Sequence, residues 1–191
     1  MTVASLPDPK AAAHLLDPMR SQVLAIAREP MSASQIAERL GLPRQRINYH
    51  VRQLAAAKLL REAGRRERRN LTEVLYVATA GNYLVDPAAL GALAPDADKI
   101  AEKGSADHLL ALASRTQGEV ARAAAEAGET GKALGGIALD LEVRLASAAE
   151  RDALAKALQE AVAGVAARFQ SPRGHAQRLV VAGYPRPRAD R

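Results

Sequence analysis

The spacing of apolar residues along the chain divides it into stretches of helical and of strand period. At Ile47, Val51 and Leu54 they recur at i, i+4 and i+7, which makes one helical stripe and turns Gln45, Arg46, Asn48, Tyr49 and Arg52 outward. Leu109, Leu112, Thr116, Val120 and Ala127 keep helical spacing, so a long helix is predicted over Ser105 to Ala127, with Gly128 as its stop. From Gly135 the period drops to two. Ile137, Leu139, Leu141, Val143 and Leu145 alternate with Asp140, Glu142 and Arg144, the pattern of a strand with one buried face. A helix follows with Leu154, Leu158, Val162, Val165 and Phe169 inward, and then a second strand over Gln177 to Tyr184.

Punctuation residues locate the ends of the helix that holds Ile47 and of its predecessor. Ser32 is a good N-cap, Gln35 stands three residues later to complete a capping box, and Met31 with Ile36 supplies a hydrophobic staple. Gly41 suits the left-handed position beyond a last turn, and Pro43 suits the first residue of the next helix. Two short helices joined by about three residues are a helix-turn-helix, and the outward residues of the second suit base edges in a major groove. After Leu59 and Leu60 the order predicted is a short strand, an arginine-rich turn and a return strand through Leu75, Tyr76 and Val77. That hairpin is a wing.

Upstream, Pro9 to Leu16 and Pro18 to Arg28 read as two helices, the second capped by Asp17 with Pro18 at its first position. The first has more apolar surface than its own domain needs, which leaves part of it for a second subunit. Between Val85 and Ser105, turn formers at Asp86-Pro87, Gly91, Pro95 and Gly104 mark a connection.

Charge sharpens this picture. Of the 191 residues 27 are basic and 21 acidic, yet residues 44–69 alone hold nine Arg or Lys against Glu62 and Glu67, a net +7 beside the +6 of the whole chain. Cationic charge is concentrated on the second helix and its hairpin, as neutralising a phosphate backbone requires. Arg65, Arg66, Arg68 and Arg69 are the hairpin residues expected to meet phosphate or a minor groove.

On LLDPMRSQVLAIA, SASQIAERLGLPRQRINYHVRQLAAAKLL, the arginine hairpin and LYVAT, the segment from about Leu15 to Val85 resembles the winged helix-turn-helix transcriptional regulators of the ArsR/SmtB type. The most specific part is INYHVRQLAAAKLL, where Asn48, Tyr49, His50 and Val51 follow the pattern of that family's recognition helix. Lys58 departs from it by standing where a glycine usually closes the helix. The resemblance implies a homodimer paired through the long helix, and double-stranded DNA as partner.

Other chemistry finds little support. With no cysteine there are no disulfides, thiolate nucleophiles or sulfur-ligated metals. Asp107 and His108 stand where some relatives of that family hold zinc ligands, but histidines at 14, 50, 108 and 175 form a poor set, and no metal or other cofactor is expected. His50 is expected to be packed and structural or to touch phosphate. The stretch Gly128 to Ala133 lacks the first glycine and the final Ser or Thr of a phosphate loop. No nucleophile and base pair is evident, so an enzyme is not expected. No apolar run reaches the ~18 residues of a membrane span, and prolines interrupt the start where a signal peptide needs an unbroken apolar core, so a cytoplasmic protein is expected.

The expected fold is mainly α within an α+β class. It comprises a winged helix-turn-helix domain over 1–85, a connection over 86–104, a dimerisation helix over 105–128, a small strand-helix-strand unit over 135–184 and a mobile basic tail over 185–191. The function expected is a homodimeric, sequence-specific DNA-binding regulator, a repressor, whose C-terminal unit either encloses a small organic effector or only supports the dimer. The alternative is a winged-helix protein-interaction module or a non-specific architectural DNA-binding protein without effector.

Overall fold

A computed structural model of the chain describes residues 3–68 and 71–186. Its elements in order are β1 (Val3–Leu6), α1 (Pro9–Leu16), α2 (Pro18–Ile26), β2 (Met31–Ser32), α3 (Ala33–Leu40), α4 (Arg44–Ala56), β3 (Leu60–Arg68), β4 (Leu71–Ala78), β5 (Asn82–Val85), a 3-10 turn (Pro87–Leu93), α5 (Ala106–Thr130) and α6 (Ala148–Arg168). Two compact units divide the chain, residues 1–134 and 135–191. Small sheets beside helices make the fold α+β, with a winged arrangement in the first unit. Among the described residues no helix is long and apolar enough to cross a membrane.

In the first unit, Ile36, Ile47, Val51, Leu54 and Leu59 are fully or almost fully buried with Val23 of α2, so α2, α3 and α4 share one core. β4 lies between β2 and β3, both antiparallel to it, and β2 is the short stretch that leads into α3. Met31 is thus fixed in the sheet opposite Tyr76 one residue before the Ser32 cap, which anchors the start of the helix-turn-helix to the base of the wing.

β1 pairs in parallel with β5, a contact that the pattern of the first six residues did not announce. Asp86 then ties three elements together. Its backbone N–H donates to Leu6, and its buried carboxylate accepts from the Ser5 hydroxyl at 3.0 Å and from the Ala88 N–H at 2.9 Å, capping the 3-10 turn. The first residue of the segment expected to be a connection is thus held in place, and Gln117 of α5 donates to the Val85 carbonyl at 2.7 Å beside it.

Several boundaries differ from the sequence expectation. Arg65, Arg66 and Arg68 lie on a strand rather than in a turn, because β3 continues past a bulge between Glu62 and Gly64 and keeps its register with β4 as far as Arg68 opposite Leu71, while Arg69 lies outside the described residues. Helix α5 runs through Gly128 and ends at Gly131. The Thr130 hydroxyl bonds back to the Glu126 and Ala127 carbonyls, and Gly131, at φ 66°, turns left-handed so that its N–H and that of Lys132 reach the last carbonyls. The face of α5 that is buried is that of Ala111 and Gly118, while Val120, expected inward, is half exposed. There α5 passes beside Asp86: a methyl group added at Gly118 would lie in van der Waals contact, 3.5 Å from its carboxylate.

In the second unit the helix forms as α6, but 137–145 and 177–184 join no ladder among the described residues. Two strands of this length do not make a stable sheet by themselves, and no third strand pairs with them. The side chains expected to line an enclosed inner face are instead at the surface, with Ile137 86% and Leu139 88% exposed. The expected mobile tail falls on 185–191, of which 187–191 lie outside the described residues.

Truncating Ile47, which has no exposed surface, will destabilise the first unit by about 2–5 kcal/mol for Ile47→Ala, the usual cost of a buried cavity. Urea unfolding followed by far-UV dichroism measures it, and a loss under 1 kcal/mol would mean that the shared helix core is not what holds this unit together.

Candidate nucleic-acid interface

The corner between α3 and α4 is set by reciprocal caps. The Ser32 hydroxyl accepts from the Gln35 N–H at 3.3 Å while the Gln35 side chain accepts from the Ser32 N–H at 3.0 Å, closing the capping box. At the other end Gly41 takes φ 62° and ψ 32°, a left-handed conformation that a side chain would strain, and its N–H returns to Ala37 and Glu38. Pro43 serves as the N-cap residue of α4 rather than its first helical residue, with its carbonyl accepting from Arg46 and Ile47.

With Ile47, Val51 and Leu54 inward, the outward set expected from the sequence is where helical geometry requires it. Gln45, Arg46, Tyr49 and Arg52 are exposed, and Asn48 is half-buried. Arg44, absent from that expected set, opens α4 exposed, one and two turns from Asn48 and Arg52 on the same face. Its signal in the sequence was the charge density, which counted it without placing it. His50 is half-buried, stands edge-on to Tyr49 with ring centroids 5.4 Å apart, and keeps its Nδ1 buried without a hydrogen bond among the described residues. Packing was expected of it and is found. The hydrogen bond that would normally go with burial is not made at that nitrogen.

Behind α4 lies a polar cluster. Asp17 caps α2 by accepting from the Met19 and Arg20 N–H groups at 2.9 and 3.1 Å. The Arg20 backbone hydrogen bond first, and then that of Met19 together with the charge of Arg20 and the nearby His50 ring, hold its carboxyl below the usual aspartate range against the opposing effect of burial. The Arg20 guanidinium also contacts the His14 ring, and burial followed by that neighbouring charge lowers the His14 pKa. Helix α4 is thus linked electrostatically, through His50, to the α1–α2 junction.

In the wing, Arg65 and Arg66 follow one another on β3 and so face opposite sides of the hairpin. Arg65 is exposed. Arg66 is held by Glu73, its register partner on β4, at 3.1 Å, with Arg66 42% and Glu73 9% exposed at the side chain. Arg68 closes β3 opposite Leu71, and Arg69 lies outside the described residues. Glu73 was missed in the sequence, where it is one acid among alternating residues. In the fold it is the acid that joins the wing to α3: a hydrogen bond from Ser34 first, then Arg66, and further Ser32, keep its carboxyl below the ordinary glutamate value, with burial opposing. One wing arginine is therefore already partly neutralised by the protein.

Among the described residues no three His, Asp or Glu side chains gather as a metal would need. His108 sits at the start of α5 with its Nδ1 accepting from the Gly104 N–H at 3.1 Å, so that ring is engaged in closing the turn before the helix.

Residues 15–63, which span α2, α3, α4 and the first residues of β3, are similar to the family described as a helix-turn-helix domain. No curated protein matches the chain. The match supports a helix-turn-helix DNA-binding domain with DNA as its partner, and it ends before the wing arginines.

Because the Glu73 pKa is depressed in the folded state, its carboxylate stabilises the fold fully above the ordinary value of about 4.5 and ceases to do so as pH falls through the lower folded value. Glu73→Gln will therefore lower the urea midpoint of the first unit at pH 7, and the gap to the unmodified protein will narrow as pH is taken from 7 to 3. A gap of constant size across that range would show that the charge of Glu73 does not hold the wing.

Proposed function

We propose that the protein is a homodimeric, sequence-specific DNA-binding transcriptional regulator of the ArsR/SmtB type, acting as a repressor. The observation that carries this reading is the exposure of Gln45, Arg46, Tyr49 and Arg52 on a helix whose opposite stripe is fully buried, next to a hairpin that presents Arg65. A polar surface on a rigidly backed helix is what base readout needs, since a side chain can discriminate bases only if its backbone is held still. The match of residues 15–63 to a helix-turn-helix family supports the same reading.

Within it, α4 is the recognition helix. Arg44, Arg46 and Arg52 would fork to guanine or phosphate, Gln45 and Asn48 to adenine, and Tyr49 to a thymine methyl or a phosphate. Arg65 and Arg68 of the wing, with Arg69, take the flanking backbone. Arg66 contributes less than its charge suggests, because Glu73 competes for it.

Dimerisation is supported by large apolar side chains left at the surface of α5, the helix that the resemblance pairs across the dimer, and of α1, whose apolar surface exceeds its domain's need: Leu110 and Val120 of α5 and Leu16 of α1, Leu16 80% and Leu110 67% exposed. A second copy of α4 about 34 Å away would read the next major groove of a two-fold operator and multiply the modest specificity of one half-site. An organic effector is not part of the proposal, because the C-terminal apolar side chains are exposed rather than arranged around a chamber.

Gel shifts with fragments of its own promoter test the reading. Binding with a steep salt dependence and a preferred sequence is expected, and weak binding without preference would favour an architectural or protein-interaction role. Arg46→Ala and Arg52→Ala will each cost about 1–3 kcal/mol on the preferred site and little on other DNA. Arg65→Ala will weaken all DNA alike and reduce the slope of log K against log salt by about 0.9. If helix and wing variants proved indistinguishable, the division between base readout and phosphate contact would be wrong.

A further inference from the structure

We infer that the unit of residues 135–184 is a docking surface for the same unit of a second copy, and that its two extended segments become strands when that second chain completes the sheet. This deepens the homodimer reading above and rests on it, but not on DNA binding.

Not one residue between 135 and 186 is buried. Ile137, Leu139, Leu141, Phe169, Leu179 and Val181 are all more than half exposed, and Leu158 and Val165 of α6 are nearly so. A helix bearing Leu154, Leu158, Val162 and Val165, one alternating segment over 137–145 and the apolar run of Leu179, Val180 and Val181 thus carry the side chains of a core without having one. A polar, disordered tail has a different composition: it lacks regularly spaced Leu, Ile and Val. The amides of 137–145 and 179–184 make no backbone-to-backbone hydrogen bonds among the described residues, so apolar face and open edge occur together.

Three properties select a second copy as the occupant. The first is area. With on the order of 150 Å² for each large apolar side chain when fully exposed, these exposures leave roughly 800 Å² of apolar surface per chain, about what each partner contributes to a standard interface. The second is charge. Residues 135–186 hold seven basic and five acidic side chains with the signs interspersed, so two copies meet without the repulsion of a single-sign surface, whereas a nucleic acid or an acidic partner would find no field to follow. The third is strand count. Two strands are too few for a stable sheet, but two copies related by a two-fold axis supply four strands with two helices, enough for one covered layer. Asp140, Glu142 and Arg144 then stay on the face away from the apolar side chains, where Glu142 already pairs with Arg186.

The test uses the full chain, by hydrogen exchange resolved to segments and by sedimentation, over a dilution series that spans dimer and monomer. Slow exchange at 137–145 and 177–184 is expected in the dimer, speeding by about a hundredfold or more on dilution to monomer. The paired substitution Leu139→Asp with Leu141→Asp will abolish that protection, and Glu142→Gln on the other face will leave it in place. Because the chain has no cysteine, a single Leu141→Cys variant gives a clean second readout, an intermolecular cross-link with a short bis-maleimide in the dimer. Protection that persists in the monomer would mean that the chain covers this face itself, and fast exchange in a dimer would mean that the face is not used. Either result overturns the inference. Promoter binding measured on the same samples separates the two readings: operator preference with fast exchange at 137–145 leaves the regulator standing without this surface, and slow exchange without operator preference does the reverse.

Discussion

The inward stripe of α4 is the constraint on which the rest of the first unit depends. Ile47, Val51 and Leu54 are buried against Ile36 of α3 and Val23 of α2, and a helix buried along one stripe has no freedom to rotate. Rotation by a single residue, about 100°, would carry Ile47 into water and turn Arg46 or Asn48 into the core, at a cost of several kcal/mol from lost apolar burial and an unpaired polar group. The orientation of the polar face is therefore a by-product of hydrophobic packing. Capping fixes what packing leaves free: Ser32 and Gly41 set where α3 starts and stops, so the angle into α4 is held by hydrogen bonds at both ends.

Legibility in the sequence followed the range of the interactions. The helix-turn-helix was readable because its signals are local: Ser32 and Gln35 are three residues apart, and the spacing of Ile47, Val51 and Leu54 is one helical period. The β1–β5 pairing joins Val3 to Asn82 and depends on Asp86 accepting from Ser5, a partner 81 residues away, and nothing near either residue encodes it. The end of α5 was misplaced for an instructive reason. Gly128 and Gly131 are equally good stops by identity, and what distinguishes them is the Thr130 hydroxyl bonding back into the last turn. Lys58 shows the converse, since it adopts φ 59° where the resemblance expects glycine. The strain of a side chain there, on the order of 1 kcal/mol, is borne because Leu59 and Leu60 must enter the core immediately afterwards.

Glu73 changes how the charge of the wing should be counted. Net charge along a sequence treats every arginine as equal, and the fold does not: Arg66 lies across from a carboxylate that is also hydrogen-bonded to Ser34 at the start of α3. The same ion pair that withdraws one positive charge from solvent staples the two strands of the hairpin to each other. Such a pair adds little to stability when exposed, but Glu73 is largely covered and has more than one donor, so it acts as a positional tie. The wing gives up part of its electrostatic attraction for a fixed hairpin geometry. That trade suits recognition that depends on geometry more than on total charge, because phosphate contacts set register while base contacts set sequence.

The C-terminal unit poses the opposite problem from the first unit. In the N-terminal unit, helices, strands and caps agree with one another and with a common core. In 135–186 the local pattern is just as regular, with period two and then a helical stripe, yet no residue is buried. Regular patterning is not maintained by local propensity alone, since alternating leucine and valine in water offers the backbone nothing that polar residues would not. It makes sense only if the apolar face meets another surface, and the conformational entropy of ordering some fifty residues, about 1 kcal/mol or more for each, must be offset there. A monomer has no such contact within this unit. Folding of the unit and association of the chain are then a single equilibrium, so the strands predicted by the sequence and their absence from a lone chain are consistent: the pattern describes a sheet whose remaining strands belong to a second molecule.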